Sequence, residues 1–221
     1  MTEASAPESN SSGRLVVLGG TFNPVHYGHL SIASQVAWQL DATVHLLLSA
    51  RPPHRDDGVA SAGQRWEMLK LAARGHPRLL PDRRELDRDG PSFMVDTLES
   101  LRNEFPAAGV SLVLGSDAAA GLASWHRSED LARLAHLVVV RRPGMDEGMD
   151  PSQLAALGFA PADSVDDLDP PRGGRSLILE TVALEISASA IRELVRQGGP
   201  INYMTPPAVV DFLTRERLYV R

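Results

Sequence analysis

The stretch from Arg14 to Leu30, RLVVLGGTFNPVHYGHL, carries most of what the sequence says about the fold. Leu15–Leu18 is a short, continuous apolar run that reads as a buried strand. Gly19 and Gly20 follow it and let the backbone turn sharply and come close to a ligand. Asn23-Pro24 is a helix-start signal, with Asn as the cap and Pro in the first helical position. A strand, a glycine pair and a helix start, in that order, aim free N–H groups and a positive dipole end past the strand, where an anion would sit. His26 and His29, three residues apart, then share one helical face. Their imidazole N–H groups can donate to phosphate oxygens, and a bound polyphosphate would favour the charged rings. A metal site competes as a reading, but neither cysteine nor an HExxH pattern exists to complete one. The lysine and hydroxyl of a Walker loop are also absent.

Outward from this stretch, apolar runs alternate with segments of helical period. Leu15–Leu18, Thr43–Leu48, Ser111–Leu114, Leu137–Val140 and Leu177–Val182 read as strands. Leu30–Leu40, Gln64–Arg74, Phe93–Phe105, Glu129–Ala135 and Pro206–Arg217 read as helices. Such alternation predicts an α/β domain with a mainly parallel sheet covered on both faces. Ligands of such sheets bind beyond the carboxyl ends of the strands. GGTFNP, SARPPHR, GSDAAAG and RRPG all follow strands, so every chemically suggestive stretch falls on one rim. Residues 1–13 are small and polar and read as a disordered tail, leaving 14–221 as a single domain with a small helical portion at its C-terminal end. Residues 142–175 read as a surface excursion with a short helical piece near Pro151–Leu157.

Composition bounds the rest. The chain has 221 residues, 43% hydrophobic and 23% charged, as in an ordinary globular protein. Zero cysteines exclude disulfides, thiolate metal sites and cysteine nucleophiles. No apolar stretch is long enough to span a bilayer, and a cytoplasmic location is the default expectation. A formal net charge of −6 argues against a nucleic-acid partner while leaving room for a small basic pocket. Nothing in the composition opposes a homo-oligomer.

GGTFNPVHYGHL resembles the signature of the HxGH nucleotidylyltransferases, which implies a Rossmann-like, doubly wound sheet. The second signature of that superfamily is matched by ISASAIR, residues 186–192, with Ala188 and Ser189 departing from the usual hydroxyls. On its own residues this segment reads first as a capped amphipathic helix ending at Gly198, with Ser187 or Ser189 as cap, and only the histidine motif beside it favours the signature. RPPHR (51–55), QRWEMLKLA (64–72), ELDRDGPSFMVDTL (85–98), GSDAAAGLASWHRSEDL (115–131) and NYMTPPAVVDFLTRERLY (202–219) together resemble the bacterial nicotinate mononucleotide adenylyltransferases. Met94 stands where that family has a hydroxyl, and Arg55 where it commonly has Lys.

The resemblance implies transfer of the adenylyl group of ATP to nicotinate mononucleotide. It assigns His26, His29 and Arg192 to the triphosphate. It assigns Gly19, Gly20, Thr21, Phe22, Gly28, Gly115, Asp117, Ser187 and Ser189 to the rest of the ATP site. It sets His54, Arg55, Trp125 and His126 against the nicotinate nucleotide, with Arg127 adding positive field and no acceptor for an amide in SWHR. Mg²⁺ is expected to arrive on ATP and not in a protein cage. Adenylylation of nicotinamide mononucleotide or phosphopantetheine, or a nucleotide-sensing module without turnover, stays open at this point.

Overall fold

In the computed structural model, which describes residues 13–51, 60–141, 151–169 and 171–220, the apolar run after Gly13 forms an interior strand of a seven-stranded sheet. The chain runs through β1 (Arg14–Gly20), α1 (Tyr27–Gln39), β2 (Val44–Leu48), α2 (Ala62–Ala73), β3 (Leu79–Asp82), α3 (Met94–Glu104) and β4 (Gly109–Gly115). It continues through α4 (Ser116–Ala120), α5 (Leu131–Leu134), β5 (His136–Arg141), α6 (Pro151–Ala156), β6 (Ala160–Pro161), β7 (Arg175–Glu180), α7 (Ala188–Arg196) and α8 (Pro207–Arg215).

All paired strands are parallel, in the order β3-β2-β1-β4-β5-β7-β6. The order reverses between β1 and β4, which is where a doubly wound sheet opens a crevice at its carboxyl edge. Alternate side chains feed two cores. Val16, Val113, Val138 and Val140 point to the face covered by α1, α2, α7 and α8, with Val36, Met68, Ile191 and Phe212. Leu15, Val17, Leu112 and Val139 point to the other, packed by Val95, Leu98 and Leu101 of α3 and Leu131 of α5. Strands buried on both faces explain why the sequence shows continuous apolar runs in place of alternation.

Several boundaries differ from the sequence reading, each for a local reason. The helix after β1 starts at Tyr27 with His26 as cap, not at Asn23-Pro24. The Asn23 side chain is committed elsewhere, its Oδ1 accepting the Ala60 N–H and the Tyr219 hydroxyl. The turn after β1 is made at Phe22, whose φ is 48°. Edge strand β3 contains Pro81 and has one neighbour, so it left no apolar run to read. The last long strand ends at Glu180, because the Val182 backbone bonds to the Gln35 side chain in both directions. Residues 128–130 make a 3-10 turn before the short α5, where a single helix was expected. The helical piece at Pro151–Ala156 and the capped helix after Ser187 are both present.

Gly109, at the start of β4, sits against a backbone: a Cβ built there would lie 2.2 Å from the Leu168 carbonyl oxygen. Gly109→Ala is therefore expected to destabilise the fold by about 1–3 kcal/mol, the usual cost of forced overpacking, seen as a lowered melting temperature.

Candidate active site

The carboxyl edge of the sheet carries two cavities that flank the end of β4. The first, about 290 Å³, is lined by His26, Gly28 and His29 from the start of α1 and by Gly115, Ser116 and Asp117 after β4. Arg141 and Thr181, at the ends of β5 and β7, and Ile186 before α7 complete its far wall. The second, about 350 Å³, is lined by Gly19, Gly20 and Thr21, by Ser49 and Glu85, by Ser92, Phe93 and Met94, and by Ser124, Trp125 and His126.

The histidine pair is organised by the helix start. His29 occupies the third helical position, and its Nδ1 accepts the backbone N–H of His26 at 3.3 Å. A Glu or Gln performs that reach-back in a capping box. In the neutral ring the proton then sits on Nε2, so that nitrogen is a donor. The two imidazoles stack with centroids 3.7 Å apart and planes at 26°. Phe22 meets His29 edge-on at 5.0 Å. Burial pushes His26 down to about 4, and burial with the neighbouring His26 charge pushes His29 down to about 3. Both rings are neutral at pH 7, where the sequence reading allowed charged ones.

Gly28 has no room for a side chain, since a Cβ would lie 2.9 Å from the His26 Nδ1 and 3.2 Å from the Ile186 carbonyl oxygen. The first turn of α1 is less open than expected. The Tyr27 N–H donates to the Met204 carbonyl and the His29 N–H to the His26 carbonyl, so both amides already have partners within the protein.

The structure brings the other expected residues together unevenly. Gly115 and Asp117 line the first cavity, whereas Gly19, Gly20 and Thr21 line the second. The glycine pair stays within β1 and makes room for neighbours, Gly19 for Met94 and Gly20 for the Phe22 ring. Phe22 is buried and lines neither cavity; its contact with the site is His29. Ser187 caps α7 by accepting the Ala190 N–H and touches Ser189 at 3.1 Å, and neither serine lines either of these two cavities. Arg192 donates to the Asn23 carbonyl at 2.8 Å, tying α7 to the turn before α1. Trp125 is half-buried against the second core and lines the second cavity. His126 is stacked on Phe93 at 4.1 Å. His54 and Arg55 lie outside the described residues.

Arg127 does not supply the expected positive field. Its guanidinium pairs with Glu99 at 2.8 Å, Asp130 at 2.6 Å and Asp96 at 3.8 Å, which hold its charge on the outer side of α3. The sequence reading placed Arg141 on the rim within RRPG without giving it a role, and gave none to Thr181 in the first cavity or to Phe93 and Glu85 in the second. Their place at or after strand ends was the available signal for Arg141 and Glu85. Among the described residues, no group of three or more His, Asp or Glu side chains could hold a metal ion, and no helix is long and apolar enough to cross a membrane.

Residues 17–194 match the family described as Cytidylyltransferase-like. The chain is 39% identical over 204 residues to the "Probable nicotinate-nucleotide adenylyltransferase" of Aeromonas hydrophila, covering 92% of this chain and 95% of that one. A protein of the same name from Stenotrophomonas maltophilia is 42% identical over 212 residues, covering 92% and 96%. Among solved structures, Plasmodium falciparum nicotinic acid mononucleotide adenylyltransferase complexed with NaAD superposes with a TM-score of 0.71 over 93% of this chain and 97% of that one. At 16% identity, that likeness is one of fold.

The neutral histidines set a pH dependence. Unfolded histidine titrates near 6.5, whereas these two stay unprotonated down to about 4 and 3. Below pH 6.5 the unfolded chain therefore binds protons that the folded state refuses, and stability falls as pH falls through that window. His29→Gln keeps an acceptor for the His26 N–H but cannot titrate. Its melting temperature is expected to match the parent at pH 7 and to fall less steeply between pH 6.5 and 4; equal slopes would show that His29 is not the group responsible.

Proposed function

The chain belongs to the nicotinate-nucleotide adenylyltransferases of the Cytidylyltransferase-like family, and on that premise we propose that it transfers the adenylyl group of ATP to nicotinate mononucleotide, releasing pyrophosphate. The product is nicotinate adenine dinucleotide, a precursor of NAD. The observation that carries the reading is the pairing of two cavities across the end of β4, one walled by stacked imidazoles and one by aromatic rings.

In this reading ATP occupies the first cavity and the mononucleotide the second. The attacking oxygen belongs to the mononucleotide phosphate, which is anionic at neutral pH, so no general base is needed. A bond forms from that oxygen to the α-phosphorus of ATP, and the bond from the α-phosphorus to the bridging oxygen breaks. The electron pair leaves with pyrophosphate. What the protein supplies is alignment and charge stabilisation. His29 donates from Nε2 to the triphosphate, with His26 stacked beside it, and Gly28 leaves the approach open. Arg141 borders this cavity from the end of β5, with Glu180 beside it at 2.9 Å, and Arg192 belongs to the β and γ phosphates by resemblance, its guanidinium resting on the Asn23 carbonyl. Mg²⁺ enters as part of the ATP substrate, held by phosphate oxygens and water.

At the other end, Trp125 offers a face for the pyridinium ring, a flat cation that stacks well on indole. The backbone N–H of His126, in the wall of the second cavity, is the donor for the nicotinate carboxylate in this reading, with the start of α3 at Met94 lining the same cavity. His54 and Arg55 belong to this substrate by resemblance alone. The net charge of −6 argues against a nucleic-acid partner while leaving room for a small anion-binding pocket, and a cytoplasmic location is the default reading.

Two outcomes are expected from a pyrophosphate-release assay. The parent prefers nicotinate over nicotinamide mononucleotide by at least about a hundredfold in kcat/KM, since a donor-lined subsite mismatches the amide NH₂. His29→Ala lowers kcat by about 10²–10³-fold while KM for the mononucleotide stays near the parent value, because one donor to the transition-state charge is lost. Comparable rates on acid and amide would move the assignment to the nicotinamide substrate.

A further inference from the structure

The second cavity contains an acceptor that the fold itself leaves unused. Glu85 follows β3, is 4% exposed and lines this cavity. Its Oε1 accepts the Thr97 hydroxyl of α3 at 2.8 Å. Its Oε2 is buried with no hydrogen-bond partner among the described residues. Arg88, close enough to bond Thr97, directs its guanidinium to the Thr97 hydroxyl and the Phe93 carbonyl at 3.3–3.4 Å and forms no ion pair with Glu85. A buried carboxylate oxygen without a donor is costly to the folded state. Facing a cavity, it is accounted for by a donor that arrives with the ligand.

The chemistry of the proposed substrate narrows that donor to one part of the molecule. At neutral pH the carboxylate of nicotinate mononucleotide has no proton to give. Its pyridinium ring carries no N–H, and its phosphate is an anion. Only the two ribose hydroxyls are O–H donors. A carboxylate placed beside the acid substituent would also repel it, so the sugar is what this oxygen can face. Resting on the adenylyltransferase reading above, we infer that Glu85 is a binding residue whose Oε2 accepts a hydrogen bond from a ribose hydroxyl of the mononucleotide. Holding the sugar fixes the distance between the ring on Trp125 and the phosphate that attacks ATP.

Glu85→Met keeps the length of the side chain and removes both oxygens. Thr97 retains an acceptor in the Phe93 carbonyl at 3.3 Å, so the variant is expected to fold with a melting temperature near the parent's. Its KM for nicotinate mononucleotide is expected to rise about 10- to 100-fold, the worth of a hydrogen bond to a charged group, with KM for ATP unchanged. Nicotinamide mononucleotide should lose the same factor, because the sugar is common to both. A 2′-deoxy or 3′-deoxy analogue of nicotinate mononucleotide should show the same loss on the parent and no further loss on Glu85→Met. If Glu85→Met does not fold, Glu85→Gln keeps the size and the Thr97 contact and should show the selective KM rise in smaller measure. An unchanged KM for nicotinate mononucleotide in the folded variant overturns the inference, as does a changed acid-to-amide ratio, which would place Oε2 at the ring substituent. A parent that releases no pyrophosphate from ATP and nicotinate mononucleotide overturns the adenylyltransferase reading instead.

Discussion

The rim of this sheet depends on one buried guanidinium. Arg65, on α2 and 2% exposed, donates to the carbonyls of Thr21, Ser49, Ala50 and Ala60 at 2.6–3.1 Å. Among the described residues it has no carboxylate partner; carbonyl dipoles meet its charge, and burial pulls it below the ordinary guanidinium range. Only a planar fork with five donors can serve carbonyls from the ends of two strands and a loop together, which a lysine could not do. Thr21 and Ser49 are walls of the second cavity, so the same contacts that hold β1, β2 and α2 together shape the site. Beside them lies a second polar knot at Asn23. Its carbonyl accepts from Arg192 and its side chain from Ala60 and Tyr219, which ties α7 and the segment after α8 to the turn that leads into the histidines. Burial pushes the Tyr219 hydroxyl up, which keeps it protonated as the donor in this knot. Networks satisfied in this way rigidify what they connect.

Rigidity at that point matters because of what the histidines are. Two stacked, neutral imidazoles offer oriented N–H dipoles and no net charge. Cationic side chains would hold ATP tightly in the ground state as well as in the transition state, and binding both equally does not raise the chemical rate. A fixed dipole aimed at the position where charge develops acts selectively on the transition state. Its value depends on placement. Gly28, Phe22 and the His26 amide together fix the His29 ring without adding a charge.

The central fold was legible because strands buried on both faces leave unbroken apolar runs, and the histidine signature sits directly after one of them. What stayed hidden follows from competition between local signals and tertiary partners. Asn23-Pro24 is a good local cap signal, but the Asn side chain is worth more bridging Ala60 and Tyr219, so the helix starts at Tyr27. Pro81 broke the pattern of an edge strand that needs only one hydrogen-bonded side. Arg127 stood next to the aromatic pair in sequence, yet three carboxylates of α3 and its own turn claim it. Glu85 was obscured by its setting, because RRELDRD reads as a solvated charge run and gives no sign that its one buried member faces a cavity.

The pairing of β1 with β4 has a consequence for how this molecule comes into being. Arg14 lies opposite Gly109, so the two strands that flank the crevice can join only after the chain has closed a loop containing β2, α2, β3 and α3. Contacts of such high sequence separation must meet the entropy of loop closure before they return any energy, and they slow folding. A collapsed intermediate holding the β1–α1–β2 unit alone would have the histidines and neither cavity wall from β4. The crevice is therefore a property of the completed topology, formed at the non-local closure, and a nucleotide has little to grip until that step is over.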